Sequence, residues 1–415
     1  MIWVLNLLKL ISCFCLFVSL VQAKVSSLAD RPDWSELNEF QKKWTKEQFE
    51  STLRNLYCPR ESWWKPWIDL DENHVRIRKA NEKDAWYKLN FADSDTEVPN
   101  EVSFPTSLKK MKIALDPGHL GGAFSEMEGR HFSIGNDKPV KEGDLTLEVA
   151  LKTKVLLEAE GAEVFVTRNV GEPVTEKREW DFMVEAESWI SQRSLNPPFT
   201  SSAEREKMIR KRREMLFYRV SEIYARSTLL QERFQPDLTI CIHLNAAPWR
   251  DPDNPQLVER NDYHVLVNGC YMGGELAYEN QRFEMLKRLL NSWGKFEQKS
   301  AESMALAFSE VTKLPAFVYK GPNALKIGKV DGVWARNLLA NRIYPGPVIF
   351  LEPYVANSVE VYHRLRPEYD KETNKSINRL LPPLTDEYAQ AILLGIKSMF
   401  QELQPSTISS GNLPP

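Results

Sequence analysis

Four side chains that can bind a metal ion or move a proton lie at the ends of apolar segments or at the start of a helical one. His119 follows the strand pattern of residues 111–117, MKIALDP, and His243 follows that of residues 237–242, DLTICI. Glu142 opens a helical pattern, and Glu352 follows the apolar run of residues 348–351, VIFL. In an open α/β sheet, side chains beyond the carboxyl ends of the strands meet at one edge. We therefore expect these four residues to share one site.

The residue types predict metal-assisted hydrolysis. Two imidazoles and one carboxylate, with a coordination position left open for water, form a catalytic zinc site, whereas a closed site of four cysteines or histidines cannot be built here. Zinc lowers the pKa of its water and polarises a carbonyl oxygen. A second carboxylate, which must not be a ligand, has to pass the proton to the leaving amine. Glu142 could alternatively serve only to stabilise the helix dipole.

Other polar residues leave alternatives open. His131 lies in the long loop between His119 and Glu142 and could compete with Glu142 as a ligand. Asn245 lies two residues past His243, on the same face, and could bind substrate, orient a ligand or only satisfy the turn. Three further residues could meet carboxylates of a peptide stem: Arg168, Arg336 and Asn337. The two arginines could instead form salt bridges within the protein. Three histidines are not part of any recognisable metal-binding or catalytic motif, and we interpret them as structural or surface residues: His74, His264 and His363.

Alternating strands and helices must position these groups. Residues 142–160 form a helical pattern that Gly161 should end, and a strand pattern follows at 162–168. Such a strand, helix and strand form a right-handed unit with parallel strands. Ser201 and Glu204 form a capping box before a long helix to about residue 233. We predict an α/β fold with a single mixed, mostly parallel sheet sandwiched between helices.

The chain also shows a domain organisation. Residues 1–23 have the pattern of a secretory signal peptide cleaved after Ala23, with an uncleaved anchor or lipid attachment at Cys13 as alternatives. The pattern of residues 24–110 predicts a small α+β subdomain followed by a linker. The tryptophans of residues 63–67 form either the core of this subdomain or a platform on which sugars stack. The main domain spans 111–403, with helical insertions at about 170–218 and 271–300, before a disordered tail at 404–415. This pattern predicts export to the periplasm or cell envelope.

Composition excludes some classes of partner. The formal net charge is −3 and 42% of the 415 residues are hydrophobic, so no excess of basic residues indicates nucleic acid. After removal of the signal segment three cysteines remain, and this odd number argues against a disulfide framework. Cys241 and Cys270 could pair only if their strands are adjacent.

Four short motifs occur in a family-specific order. They are DPGH at 116–119, Glu-x-Asp-Leu-x-Leu at 142–147, I-H-x-N-A at 242–246 and FLEPYVAN at 350–357. Over about residues 111–400 the chain resembles the zinc-dependent N-acetylmuramoyl-L-alanine amidases. The resemblance implies that His119, Glu142 and His243 bind Zn²⁺ and that Glu352 is the catalytic glutamate, acting on zinc-bound water. It also implies hydrolysis of the amide between muramic acid and the first L-alanine of the peptidoglycan stem.

Two other functions fit the same residues. A zinc peptidase that cuts within the stem peptide would need the same ligands, because zinc chemistry does not select the amide. A non-catalytic wall-binding protein would use the groove only as a receptor. The insertion at 170–218 lies between two motif-bearing strands, so it could cover the site until a regulatory protein partner displaces it.

Overall fold

The chain forms two compact units. A computed structural model describes residues 24–80, 85–93, 104–192, 201–251, 253–365 and 382–401. The first unit is formed by Met1–Glu101 with Gly269–Ser292, and the second by Val102–Asn268 with Trp293–Pro415. The predicted signal segment, 1–23, and the predicted tail, 404–415, lie outside the described residues. Among the residues described, no helix is both long enough and apolar enough to cross a membrane.

The first unit combines short helices with a small antiparallel sheet. Its strands are β1 (Ile68–Leu70), β2 (His74–Arg78) and β3 (Trp86–Asn90), in the order β1-β2-β3. Ile68 pairs with Ile77, so β1 and β2 form a hairpin. Its helical segments are Trp34–Phe40, Lys46–Thr52, Leu53–Tyr57, Glu61–Trp64, Gly273–Leu276 and Glu279–Leu290.

The core of this unit requires both parts of the chain. Phe283, Leu286 and Leu289 of the helix Glu279–Leu290 are buried in one cluster with side chains of residues 34–91. The sequence analysis assigned residues 271–300 to the main domain as a helical insertion. The structure differs because the apolar face of the helix completes the core of the first unit. Trp64 is buried in the same cluster, in agreement with a core role for the tryptophans.

A seven-stranded sheet forms the centre of the second unit, in the order β10-β11-β9-β12-β8-β4-β7. β4 pairs in parallel with β7 and β8, β12 with β8, and β11 with β9, whereas the pairs β12–β9 and β10–β11 are antiparallel. The mixed, mostly parallel sheet is therefore confirmed. The strands of this unit, including the separate pair β5–β6, are β4 (Lys112–Pro117), β5 (His131–Phe132), β6 (Val140–Lys141), β7 (Glu163–Val166), β8 (Leu238–Ile242), β9 (Tyr263–Val267), β10 (Leu325–Lys326), β11 (Val333–Ala335) and β12 (Val348–Pro353).

Helices of the second unit connect and flank these strands. The helix Glu142–Ala159 joins β4 to β7 through a chain reversal at Gly161, whose φ of 90° suits glycine. The remaining helices of four residues or more are Glu179–Phe182, Met183–Ser191, Ser202–Leu216, Phe217–Ser221, Glu222–Arg233, Trp293–Thr312, Leu339–Ile343, Val359–Arg364 and Leu384–Gln401.

The predicted long helix before β8 is present but is interrupted. Ser201 Oγ accepts a hydrogen bond from Glu204 N, so the helix begins where its cap predicts. A π-helical turn at Phe217–Ser221 then separates two α-helical parts, Ser202–Leu216 and Glu222–Arg233. Such turns occur often at functional sites. The three cysteines of the described residues, Cys58, Cys241 and Cys270, are buried and form no disulfide.

Candidate metal centre

The turn after β4 brings His119 toward β8. β4 pairs in parallel with β8, so both strands end at the same edge of the sheet. Gly118 lies flat against the imidazole of His243, because a Cβ at this position would be 2.3 Å from His243 Cε1. His119 then has a φ of 59°, a conformation that L-residues rarely adopt. The turn therefore requires glycine at 118 and holds His119 in a strained conformation.

Buried charges hold this turn in place. The Asp116 carboxylate accepts hydrogen bonds from Arg226 Nη1 and from Tyr344 OH, each at 2.9 Å. Arg226 Nη2 donates to the carbonyl oxygen of His119 at 3.1 Å, and Arg226 Nε donates to Glu222 at 2.8 Å. Burial raises the pKa of Asp116, but the positive charge of Arg226 outweighs it and keeps the pKa below its usual value. Asp116 is thus a support of the site, ionised at neutral pH.

Three candidate ligands converge at this edge of the sheet. Glu142 Oε1 lies 3.4 Å from His119 Nε2 and 3.3 Å from His243 Nδ1. One ligand atom from each of the three residues lies within 4.8 Å of the others. Glu142 Oε1 also accepts a hydrogen bond from Leu244 N at 3.1 Å, which fixes the carboxylate beside both rings. The structure therefore brings together the three residues predicted as metal ligands.

The protonation of the three residues suits a metal site. Burial raises the pKa of Glu142, but His119 and His243 outweigh it and hold the pKa well below its usual value. Burial lowers the pKa of His243, so its ring is neutral at neutral pH. Burial also disfavours the charged form of His119, but Glu142 and Glu128 raise its pKa to about 9. His119 is therefore the ligand that must lose a proton when a metal binds.

Glu352 lies at the same edge without joining the ligand group. β12 runs parallel to β8, and Glu352 is its penultimate residue. It lines a cavity of about 290 Å³ together with His119 and His243. Burial and the charge of Glu142 raise the pKa of Glu352 to about 8, although Arg130 lowers it. Glu352 is thus a partly buried carboxyl group that can gain or lose a proton near neutral pH.

Several other residues named from the sequence have structural contacts instead. His131 lies 3.3 Å from Ser125 Oγ through its Nδ1 and is not part of the group formed by His119, Glu142 and His243. Asn245 Nδ2 donates to Asp262 at 3.4 Å, and Asn245 Oδ1 accepts from the next backbone N–H. Arg168 donates to the carbonyl oxygens of Gly118 and Gly143, so it supports the turn rather than facing the cavity.

The structure adds residues that the sequence did not single out. Glu128 is buried, and its Oε1 lies 3.7 Å from His119 Nδ1, on the ring edge opposite Glu142. Tyr218 and Arg219, from the π-helical turn, line the cavity together with Arg130. Glu128 has no motif that identifies it, because a short irregular loop brings it to His119. Arg226 has a weak signal, since it lies four residues after Glu222 on one helix.

The donor set defines the class of site. Two imidazole nitrogens and one carboxylate oxygen suit zinc, whereas magnesium and calcium prefer oxygen ligands alone. With three protein ligands, a coordination position is left for water or substrate, as in catalytic zinc sites. The residues present therefore fit a mononuclear zinc centre of the hydrolytic type.

Solved structures of N-acetylmuramoyl-L-alanine amidases are similar to this chain. The CwlD amidase from Clostridioides difficile, solved with the GerS lipoprotein, is 14% identical with a TM-score of 0.36, covering 71% of this chain and 100% of that chain. The amidase Ami1 from Mycobacterium smegmatis is 15% identical with a TM-score of 0.36, covering 71% of this chain and 99% of that chain. No protein family description and no curated protein matches the chain. Similarity at this level leaves the function to be argued from the residues of the site.

Proposed function

We propose that this chain is a zinc-dependent N-acetylmuramoyl-L-alanine amidase, which hydrolyses the amide between muramic acid and L-alanine of the peptidoglycan stem. One observation carries the proposal: His119, Glu142 and His243 converge within 4.8 Å, and Glu352 lines the adjoining cavity outside this group. These are the four residues that the motif resemblance to zinc amidases selects.

The ligand atoms would be His119 Nε2, His243 Nδ1 and Glu142 Oε1, the three atoms that face one another. When bound, zinc lowers the pKa of a water ligand towards neutrality and polarises a carbonyl oxygen. Phe350 stacks on the His243 ring at a centroid distance of 4.3 Å and restricts its rotation. The backbone N–H of Leu244 holds Glu142 in place from the other side.

Glu352 would serve as general base and then as general acid. It accepts a proton from the attacking water and returns it to the leaving amine, which completes hydrolysis of the amide. A group with these two tasks works best with a pKa close to the working pH, and the pKa of Glu352 is about 8. A receptor that only binds the cell wall needs no such group, so this carboxyl favours an enzyme.

The substrate class and the cellular location are supported by the sequence. The site chemistry suits any peptide or amide carbonyl, so the choice of the muramoyl amide over a bond within the stem rests on the four motifs. Export to the periplasm or cell envelope is supported by the pattern of residues 1–23 and by the location of peptidoglycan. The substrate-binding role expected of Asn245 stays a prediction.

A regulatory protein partner acting on residues 170–218 is also part of the proposal. The helices Met183–Ser191 and Ser202–Leu216 have their own small core of Ala186, Ile190 and Ile209. Trp180 and Val184 are 60% and 75% exposed there, which is unusual for large apolar side chains. The chain then continues into the π-helical turn that lines the metal cavity. Exposed apolar surface is typical of protein-binding sites. A regulatory protein that binds here would contact helices that continue into the wall of the cavity.

Two substitutions test the assignment of roles. Glu352→Gln should retain zinc and lose turnover by about 10²–10⁴-fold, because only the proton-transfer group changes. His243→Ala should lose both zinc and turnover. His363→Ala, which changes an exposed histidine on the helix Val359–Arg364, is the matched control. Metal content and amide hydrolysis are measured on the same preparations, and full activity of Glu352→Gln would contradict the proposal.

A further inference from the structure

Four arginine side chains line the cavity beside the metal group. Arg130, Arg219 and Arg336 line it, in addition to the buried Arg226. They come from three separate elements: the loop before β5, the π-helical turn Phe217–Ser221 and the segment after β11. Three distant parts of the chain therefore bring guanidinium groups to one cavity.

Four carboxylates also line the cavity: Asp116, Glu128, Glu222 and Glu352. Glu128 lies 3.7 Å from His119 Nδ1. Asp116 and Glu222 are both engaged with Arg226, at 2.9 and 2.8 Å. Arg130 Nε is 3.7 Å from Glu142 Oε2, but Glu142 is the carboxylate that would bind zinc.

Arg219 and Arg336 have no carboxylate at ion-pair distance among the residues that the structure describes. Arg336 Nη1 donates only a long hydrogen bond of 3.4 Å to Tyr319 OH, and Arg219 is exposed. Both guanidinium groups therefore retain donors for a ligand.

Two of these arginines lie near the proposed catalytic residue, Glu352. Arg130 and Arg336 lie within electrostatic range of the Glu352 carboxyl. Next to Arg336 the cavity wall is apolar, formed by Leu338, Leu339 and Ala340. A ligand with a small apolar side chain next to an anionic group would match this apolar wall and the adjoining arginine. The muramoyl sugar is uncharged at this bond, so the charged wall corresponds to the peptide side of the substrate.

We propose that Arg219 and Arg336 form an anion subsite that binds a free carboxylate on the peptide side of the scissile amide, which rests on the proposed amidase function. Guanidinium groups bind carboxylates through paired, charge-assisted hydrogen bonds. The substrate class is then a muramoyl peptide with a free carboxylate close to its first residue, and amidation of that carboxylate lowers affinity.

A matched pair of substrates tests this subsite. Two N-acetylmuramoyl peptides are prepared that differ only in whether the carboxyl group of the second residue is free or amidated. The wild-type chain should hydrolyse the free acid with a kcat/KM about tenfold or more above that of the amide, the size expected for a hydrogen bond to a charged group. The difference should reside in KM, because the subsite binds a group remote from the reacting bond.

The variants should remove this preference selectively. Arg336→Gln and Arg219→Gln should each lower the ratio of kcat/KM for the free acid to kcat/KM for the amide towards one, whereas Arg336→Lys should retain part of the preference. Arg233→Gln, an exposed arginine later in the same helical region, should behave as wild type. The dissociation constants of both peptides on Glu352→Gln give the same comparison without turnover.

The outcomes separate this subsite from the proposed function. Equal kcat/KM values for the two peptides in the wild-type chain would overturn the subsite and leave the amidase function intact. An undiminished preference in both Arg219→Gln and Arg336→Gln would also overturn it. Failure of the wild-type chain to hydrolyse either peptide, with no binding to Glu352→Gln, would contradict the amidase function and the subsite together.

Discussion

Glu128 is a residue whose effect on the metal site passes through another side chain. Its carboxylate is buried, accepts a hydrogen bond from Leu120 N at 2.9 Å and lies 3.7 Å from His119 Nδ1. A carboxylate at the second nitrogen of a metal-binding histidine fixes the orientation and the tautomer of the ring. With Nδ1–H directed at Glu128, the lone pair of Nε2 is left for the metal. Glu128 is thus a positioning residue for His119.

Loss of this carboxylate should weaken metal binding. Glu128→Ala is expected to lower zinc affinity about 10–100-fold, the usual effect of removing such a partner. Glu128→Gln should lose less, because its amide oxygen still places a partial negative charge beside Nδ1 and can accept from Leu120 N. Competition with a chromophoric chelator measures both, and Glu126→Ala in the same loop is the exposed control. Wild-type zinc affinity in Glu128→Ala would contradict this role.

The pKa of His119 predicts how zinc affinity depends on pH. Glu142 and Glu128 raise this pKa to about 9 in the metal-free chain, so a zinc ion must displace a proton at lower pH. Zinc affinity should therefore rise with pH, by up to about tenfold per unit between about pH 6 and pH 8. Chelator competition at several pH values gives the slope. A zinc affinity that is independent of pH over this range would show that His119 is not protonated in the metal-free chain.

The helix Glu222–Arg233 is connected to the site through buried charged side chains. Through Arg226 it contacts Asp116 and the backbone of His119, and through Glu222 it accepts hydrogen bonds from the backbone of Val174 and Thr175. One buried ion cluster thus joins the helix, the turn of the first motif and the beginning of the insertion.

Removal of the central charge of this cluster should be costly. Arg226→Ala leaves Asp116 and Glu222 buried without their cation, so we expect the free energy of unfolding to fall by about 3–5 kcal/mol. Arg233→Ala, on an exposed part of the same helix, should change it by less than about 0.5 kcal/mol. Urea unfolding monitored by circular dichroism measures both variants. A small effect of Arg226→Ala would mean that water replaces the guanidinium group.

Strand ends and helix starts were the part of the site that the sequence could predict. The apolar runs before His119, His243 and Glu352 mark strands β4, β8 and β12, and parallel pairing places their carboxyl ends together. Strands β10 and β11 have two and three residues, too few for a periodic signal. Glu128 and Arg219 reach the site through an irregular loop and a π-helical turn, which 3.6-residue periodicity does not describe.

At the scale of the whole molecule, the first unit is built from two distant segments of the chain. Tyr271, Phe283 and Leu286, from the later segment, are buried in the same cluster as Phe49 and Leu53 from the earlier one. The sequence could not reveal this, because an amphipathic helix shows that it has an apolar face but not which segment covers that face.

This division predicts how the chain tolerates truncation. A chain that begins at residue 102 should aggregate, because the apolar side chains of Gly269–Ser292 lose the partners that bury them. Replacing Gly269–Ser292 by a glycine and serine linker in the same truncated chain should restore solubility. Size-exclusion chromatography compares the two. A monomeric, stable truncated chain that retains Gly269–Ser292 would contradict the division.

The proposed activity is tested most directly by the masses of the products released from isolated peptidoglycan. Purified residues 24–415 are incubated with peptidoglycan alone, with a zinc chelator, and with zinc added back after chelation. An amidase should release stem peptides that begin at L-alanine, lose this release with the chelator and regain it with zinc. Stem peptides cut at an internal bond would identify a peptidase instead. Binding to peptidoglycan without any released product, in the presence of zinc, would contradict an enzymatic function.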